Sequence, residues 1–417
     1  MVVANIDPLM ATDVPIGWDL IPLGKCVSEK LSYGVNAPAI PYSGCHPCYI
    51  RITDITEAGQ YNDSDRKSVA ISFEEKEKYT LKIGDIVLAR TGASTGKSYL
   101  YNEKDGELVY AGFLIKAAVD VRSHNPRFIV AQLRTKRYWT WVAATSMRSG
   151  QPGINGKEYA TFLIPVAPKK EQDKIAETLS QFDTYIDDLS ELIEKKRGIR
   201  DGALEDLVTG KTRIDHFKSE WKVYDINTIT RAVLTGGTPS TSRHEYYGGN
   251  IPWLSSTEIH QKRITKPTAY ITDLGLQNSS AKIAPERSVL IALAGQGKTR
   301  GTAAFLTKPM ALNQSLAALV TNEKCYPEFL YYLIESMYLY LRELSSGDGG
   351  RGGLNKKLIK SVEVTIPTDI SEQEAIANVL TAMDEEIEAL ETERDKMIQI
   401  REGAMDDLLT GRVRLSV

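Results

Sequence analysis

Apolar residues return at alternating four- and three-residue steps in two stretches of this chain. The first runs Ile175, Leu179, Phe182, Ile186, Leu189, Ile193, and the second Ile376, Leu380, Met383, Ile387, Leu390. A stripe of that spacing stays on one side of a helix and predicts a coiled-coil seam. The stretches are copies: at an offset of 201, without a gap, 18 of the 44 positions from Glu171 to Ile214 are identical to those from Glu372 to Leu415. A helix of about 38 residues is roughly 57 Å long, and a stripe of that length needs a partner. The other copy supplies one. Ser371 and Glu374 predict a capping box at the second start. Thr209-Gly210 and Thr410-Gly411 predict the two stops, with glycine in the left-handed position.

The rest of the chain also repeats. Trp18 opens one body with WDLIPLGKCV, and Trp221 opens another with WKVYDINTIT. In the first, CYIRITDI and GDIVLAR read as strands, SYLYNEKDGELVYAGFLIKAAV as a hairpin turning at Asp105-Gly106, and Asn125-Pro126 as the cap and first turn of a helix. In the second, NIPWLSSTEI, SVLIALAGQGKTRG and YPEFLYYLIESMYLYLREL follow in the same order. The expected organisation is α+β: two α/β bodies in tandem repeat (1–167 and 212–368), each followed by a long helix (168–211 and 369–417). The two helices form an antiparallel coiled coil with pseudo-two-fold symmetry.

Charge sharpens this picture. Residues 171–210 hold 11 acidic and 5 basic side chains and residues 372–411 hold 12 and 3, so the helices carry −15. With a chain total of −3 the remainder carries +12. Acidic helices joined to basic bodies leave the bodies as the surfaces suited to phosphate. No apolar run reaches the 18 or so residues of a membrane span, and the amino terminus lacks a basic, apolar leader pattern. The default address is cytoplasmic, without a membrane partner. Four cysteines do not make a disulfide framework.

The chemistry-bearing motifs mostly dissolve on inspection. Gly92-Ala-Ser-Thr-Gly96-Lys97-Ser98 is one residue short of a P-loop, and Gly295-Gln-Gly297-Lys298-Thr299 has Ala292 where the first glycine belongs. Both read as mobile, basic contact loops after a strand. Cys45-His46-Pro47-Cys48 precedes a strand and has no second ligand pair, so it reads as structural. His46, His124, His216, His244 and His260 are scattered without ligand or triad spacing. Asn125-Pro126-Arg127-Phe128 lacks the second proline of an amino-methyltransferase motif. No catalytic and no metal-binding residue is expected.

What remains is polar and aromatic loop chemistry on the two bodies. The first offers Tyr33, Asn36, Arg51, Arg66, Lys67, Arg90, Ser94, Lys97, Arg148 and Gln151. The second offers Thr238, Ser240, Arg243, Tyr246, Trp253, Gln296, Lys298, Arg300, Arg351, Asn355 and Lys356. Arg and Lys suit guanine edges, Asn and Gln adenine edges, and hydroxyls and Lys suit phosphates.

Together these features resemble the specificity subunit of type I restriction-modification enzymes. GGTPSTSRHEYYGGNIPWLSSTEI is similar to the opening of that family's target-recognition domains, ALNQSLAAL fits its mid-domain signature, and the duplicated tail from EQxxIAxxL to LLTGxxRL resembles its two central helices. The first body matches more weakly, through YIRITDI and GDIVLARTGASTGKSYLY. The resemblance implies a non-catalytic subunit with two target-recognition domains, each reading half of a bipartite site in double-stranded DNA. It implies helices that set the spacer and bind two methyltransferase subunits, and through them motor and nuclease subunits. S-adenosylmethionine, ATP and Mg²⁺ would sit on those partners, with no cofactor on this chain. Arg200 and Arg401 fall at matching seam positions and are expected to fix register or bind partner carboxylates. Two competing expectations are a coiled-coil adaptor without a DNA role and a nucleotide hydrolase using the Gly-Lys loops.

Overall fold

The two 40-residue helices Lys169–Val208 and Ile370–Leu409 organise the computed structural model, which describes residues 14–147, 152–295, 297–346 and 353–416. The chain divides into two compact units that cut through both helices. One contains residues up to Asp188 together with those from Glu393, and the other is Leu189–Thr392. Among the described residues no helix is long and apolar enough to cross a membrane.

Within each unit the seam closes as an antiparallel pair. In the first, Ile175, Ala176 and Leu179 share a core with Leu408 and Leu409, and Arg401 reaches Asp183 at 2.9 Å. In the second, Leu204, Leu207 and Val208 share a core with Ile376, Ala377 and Leu380, and Lys196 pairs with Glu386 at 2.7 Å. Gly210 and Gly411 take φ of +72° and +68°, the left-handed stops that the Thr-Gly pairs signalled. The second helix starts before the expected capping box. Ser371 is already inside it and donates its N–H to Asp369 Oδ1 at 2.9 Å, while Glu374 accepts from the Tyr326 hydroxyl.

Each body carries one two-stranded sheet and two larger ones, and the larger sheets share most of their strand order. In the first, Ser32–Tyr33, Leu114–Ala118, Asp85–Ala89 and Ser98–Leu100 lie in that order, and Ala39–Pro41, Lys67–Val69, Cys48–Ile50 and Leu108–Tyr110 form the other sheet. In the second, Thr230–Thr235, Leu316–Thr321, Val289–Ala292 and Ala303–Leu306 follow the order of the first sheet, with Arg263–Ile264 added at its edge. Ala269–Ile271, Tyr247–Leu254 and Met310–Leu312 match the last three strands of the other, but the fourth strand, Lys282–Ala284, lies at the edge opposite to that held by Ala39–Pro41. Both second sheets contain a parallel pair, Cys48↔Leu108 in one body and Trp253↔Ala311 in the other. The expected hairpin at Asp105-Gly106 does not form. The chain does reverse there, with Gly106 at φ +75°, but Ser98–Leu100 and Leu108–Tyr110 join different sheets. The expected single helix after Asn125 breaks into Pro126–Gln132 and Lys136–Ser146, because Thr135 accepts from Tyr138 N–H and caps a second start.

A buried clamp fastens each body to a helix start. In the first unit Glu171, 2% exposed at its side chain, accepts from Arg414 Nε and Nη2 at 2.6 and 2.7 Å and from Trp18 Nε1 at 3.1 Å. In the second, Glu372 accepts from Arg213 Nε and Nη2 at 2.9 and 2.7 Å, from Trp221 Nε1 at 3.3 Å and from Ser219. The neighbouring glutamines repeat as well: Gln172 Oε1 accepts from Asn125 N–H and Gln373 Oε1 from Tyr326 N–H. A carboxylate held by a bidentate arginine is charge-compensated, which is what makes its burial tolerable.

The seam arginines diverge. Arg200 is 4% exposed, donates to Asp384 at 2.9 Å and Glu335 at 2.5 Å, and lies over the Tyr332 ring at 5.6 Å. Burial works against its charge, but Glu335 and Asp384 outweigh it and push the pKa above the ordinary arginine value. Its guanidinium is therefore committed inside the unit. At the position matching Glu335 the first unit has Arg134, whose pKa is lowered by burial and by the Arg401 charge.

Candidate nucleic-acid interface

Three strand ends of the first sheet meet at one edge of the first body. Tyr33 pairs with Ile115 and Ala89 with Leu114, so Tyr33, Arg90 and Phe113 emerge side by side. Arg90 is fixed by its backbone: its N–H donates to Phe113 O at 3.1 Å and its carbonyl accepts from Ile154 at 2.9 Å. Its guanidinium lies 4.9 Å over the Tyr33 ring, and Gly156 N–H donates to the Tyr33 hydroxyl at 3.0 Å. Tyr33 is 42% and Phe113 57% exposed; Asn36 is exposed beside them. The chain passes here through Gly34, where a Cβ would stand 2.2 Å from Tyr110 O. Glycine is obligatory at that crossing.

The second body builds the same edge from different residues. Thr235 pairs with Ala317 and Ala292 with Leu316, and Leu293 N–H donates to Ser315 O at 2.8 Å. Gly236 occupies the Gly34 crossing, its Cβ position 1.7 Å from Leu312 O. Over it Thr238 donates to Gln314 Oε1 at 2.6 Å, Trp253 Nε1 to Gly237 O at 3.1 Å, and the Tyr247 hydroxyl to Pro239 O at 2.6 Å. This is the physical content of the GGTPS motif: a close strap that presents Thr238 and exposed Ser240, the latter bonded to Ser242 at 2.9 Å.

The other sequence-selected residues scatter around these edges. Arg51 is bound to Asp54 and Asp65, Lys67 to Asp65, Arg66 to Asp63 and Lys97 to Glu57. The Asp54 hydrogen bond, with Asp65 beyond it, raises the Arg51 pKa. Lys67 and then Arg51 lower that of Asp65. Ser94 and Lys97 belong to a Gly-rich turn that is pinned rather than mobile: Gly96 N–H donates to the Tyr159 hydroxyl and Gly96 O accepts from that of Tyr138. Strand Ser98–Leu100 follows it, where a P-loop would open a helix. In the second body Arg243 pairs with Glu245, Tyr246 is half-buried, and Lys298 and Lys356 are exposed. Lys298 shares its loop with Arg300. Asn355 caps a short helix through Lys357 and Leu358 N–H, as Asn155 does in the first body. Arg148, Gln151, Gln296 and Arg351 lie outside the described residues.

Sequence reasoning passed over Phe113 and Gln314. Both sit inside apolar-looking runs, YAGFLIK and ALNQSLAAL, and only strand register brings them to the edge. Cys48 Sγ contacts the Tyr61 hydroxyl at 3.2 Å and Cys45 is exposed. Among the described residues no cluster of histidine, cysteine and carboxylate side chains could hold a metal.

One scaffold used twice, with a polar loop edge on each copy and acidic helices running through both, defines a protein with two recognition surfaces. The type I restriction modification DNA specificity domain matches residues 48–196 and 218–399. The chain belongs to this family of specificity subunits. It is 25% identical over 425 residues to a putative type I restriction enzyme specificity subunit of Methanocaldococcus jannaschii, covering 97% of this chain and 95% of that one. Over 183 residues it is 30% identical to a second specificity subunit of the same organism, covering 43% and 41% of the two chains. The fold is similar to the crystal structure of a type I system S subunit from M. genitalium, with a TM-score of 0.61, 17% identity and coverage of 97% and 99%.

Proposed function

We propose that this chain is a non-catalytic, cytoplasmic subunit that reads a bipartite target in double-stranded DNA, one half with each body. The observation that carries this reading is the matched pair of edges, Tyr33–Arg90–Phe113 and Thr235–Leu293–Ser315, built on the same strand register with different chemistry. Two readers of different half-sites need the same docking geometry and different side chains. The acidic helices are the surfaces that phosphate repels. They are suited instead to bind two methyltransferase subunits and, through them, motor and nuclease subunits. S-adenosylmethionine, ATP and Mg²⁺ belong to those partners on this reading. Helix length then sets the unspecified spacer, so a four-residue insertion in both long helices changes the preferred spacer or abolishes assembly.

Fluorescence anisotropy of the chain with its methyltransferase subunits tests the proposal, together with a map of methylated adenines in cells with and without the chain. Salt-dependent duplex binding and chain-dependent methylation at a split sequence are expected. Absence of both favours a protein adaptor. ATP turnover by the purified chain that is lost in Lys97→Ala or Lys298→Ala would instead support a hydrolase.

A further inference from the structure

We propose that Arg90 reads a guanine in the half-site recognised by the first body, with Phe113 packed against the neighbouring base as its apolar flank. This rests on the DNA-reading function proposed above. Arg51, Arg66, Lys67 and Lys97 are all neutralised by aspartate or glutamate, whereas Arg90 has no ion pair among the described residues and lies against an aromatic face. A guanidinium stacked on a ring keeps its donor edge pointing outward in a fixed plane. The Tyr33 ring is itself held by Gly156 N–H, and the Arg90 backbone is bonded on both sides, by Phe113 and Ile154. The fork is therefore preorganised, and a planar fork of two donors matches the O6 and N7 acceptors that guanine shows in the major groove.

Phe113, more than half exposed at the turn between two buried strands, gains nothing for the fold by its position. Beside Arg90 it offers an apolar surface of the kind that packs on a thymine methyl or a base edge. At the matching places the second body has Leu293 and Ser315, next to Thr238 and Gln314, so these two positions carry a cation and an aromatic ring in the first body and neither in the second. The two half-sites differ in chemistry accordingly.

The test is selection from a random duplex library by the chain assembled with its methyltransferase subunits, comparing wild type, Arg90→Ala, Arg90→Lys and Phe113→Ser. Salt dependence of binding is measured on the selected sequence. For wild type a guanine is expected in one half-site. Arg90→Ala loses preference for that guanine by about tenfold or more, Arg90→Lys restores it only in part, and Phe113→Ser relaxes the adjacent position. The other half-site and the salt slope stay unchanged. Uniformly weaker binding with an unchanged consensus, and a salt slope smaller by about one, would make Arg90 a phosphate contact and overturn the proposal. An unchanged consensus at unchanged affinity overturns it as well. If wild type enriches no sequence at all, the DNA-reading function itself falls.

Discussion

Arg414 and Glu171 form a two-bond clamp at 2.6 and 2.7 Å although 243 residues separate them. The same guanidinium also donates to Ile16 O at 2.8 Å and lies over Trp18. One residue thus gathers the opening of the first body, the start of one long helix and the segment after the other.

Arg414→Ala leaves Glu171 buried with the Trp18 indole as its remaining donor. The first unit is expected to melt several degrees lower while the second is unaffected. Calorimetry that resolves two transitions checks this; a uniform shift of both would contradict it.

Acid sensitivity follows from the same carboxylate. Arg414 hydrogen bonding, more than offsetting burial and aided by Trp18, holds the Glu171 pKa below its ordinary 4.5. A depressed folded-state pKa contributes stability above the unfolded value, which is lost as pH falls through the folded one. Stability of the first unit is expected to drop below pH 4.5, and Arg414→Ala to flatten that part of the profile. Denaturation midpoints measured between pH 6 and pH 3 decide it.

The matched seam arginines provide an internal comparison. Arg200→Leu strands Glu335 and Asp384 in a half-buried site and should cost about 2–3 kcal/mol. Arg401→Leu breaks one half-exposed pair and removes a charge that opposes Arg134, so its cost should stay below about 1 kcal/mol. Equal effects in urea titrations would refute the asymmetry.

Exchanging residues 212–368 for the corresponding body of another family member should change one half of the recognised sequence and leave the other intact. Methylation mapping reads both halves at once. A change in both would mean that the bodies do not read independently.

The parts of the fold legible in the sequence were those encoded locally. Ile175, Leu179, Ile376 and Leu380 announce the seam by period, and Gly210 and Gly411 announce its ends by conformational need. The Ser371 box misled because Asp369, two residues earlier, competes for the same role and wins. The turn at Asp105-Gly106 is real, but a turn signal specifies a reversal and not which strand the chain pairs with next. The site was half legible for the same reason. Tyr33, Asn36 and Arg90 carry polar loop signals, whereas Phe113 and Gln314 become surface residues only through the Ala89↔Leu114 and Ala292↔Leu316 pairings. Arg51 and Lys67 also carry carboxylate partners, Asp54 and Asp65, that stand within three residues of them in the sequence.

The clamps also impose an order of folding. The second unit is one continuous segment, Leu189–Thr392, and Arg213 and Glu372 both lie within it. The first unit lacks Leu408, Leu409 and Arg414 until translation has passed the whole of the second. During that interval the Trp18–Phe128–Ile175 core emerges from the ribosome with part of its apolar surface uncovered, while its neighbour can already fold. A chain ending at Thr392 should therefore show a protease-resistant second unit and a protease-sensitive first one, making the earliest residues synthesised the last to be secured.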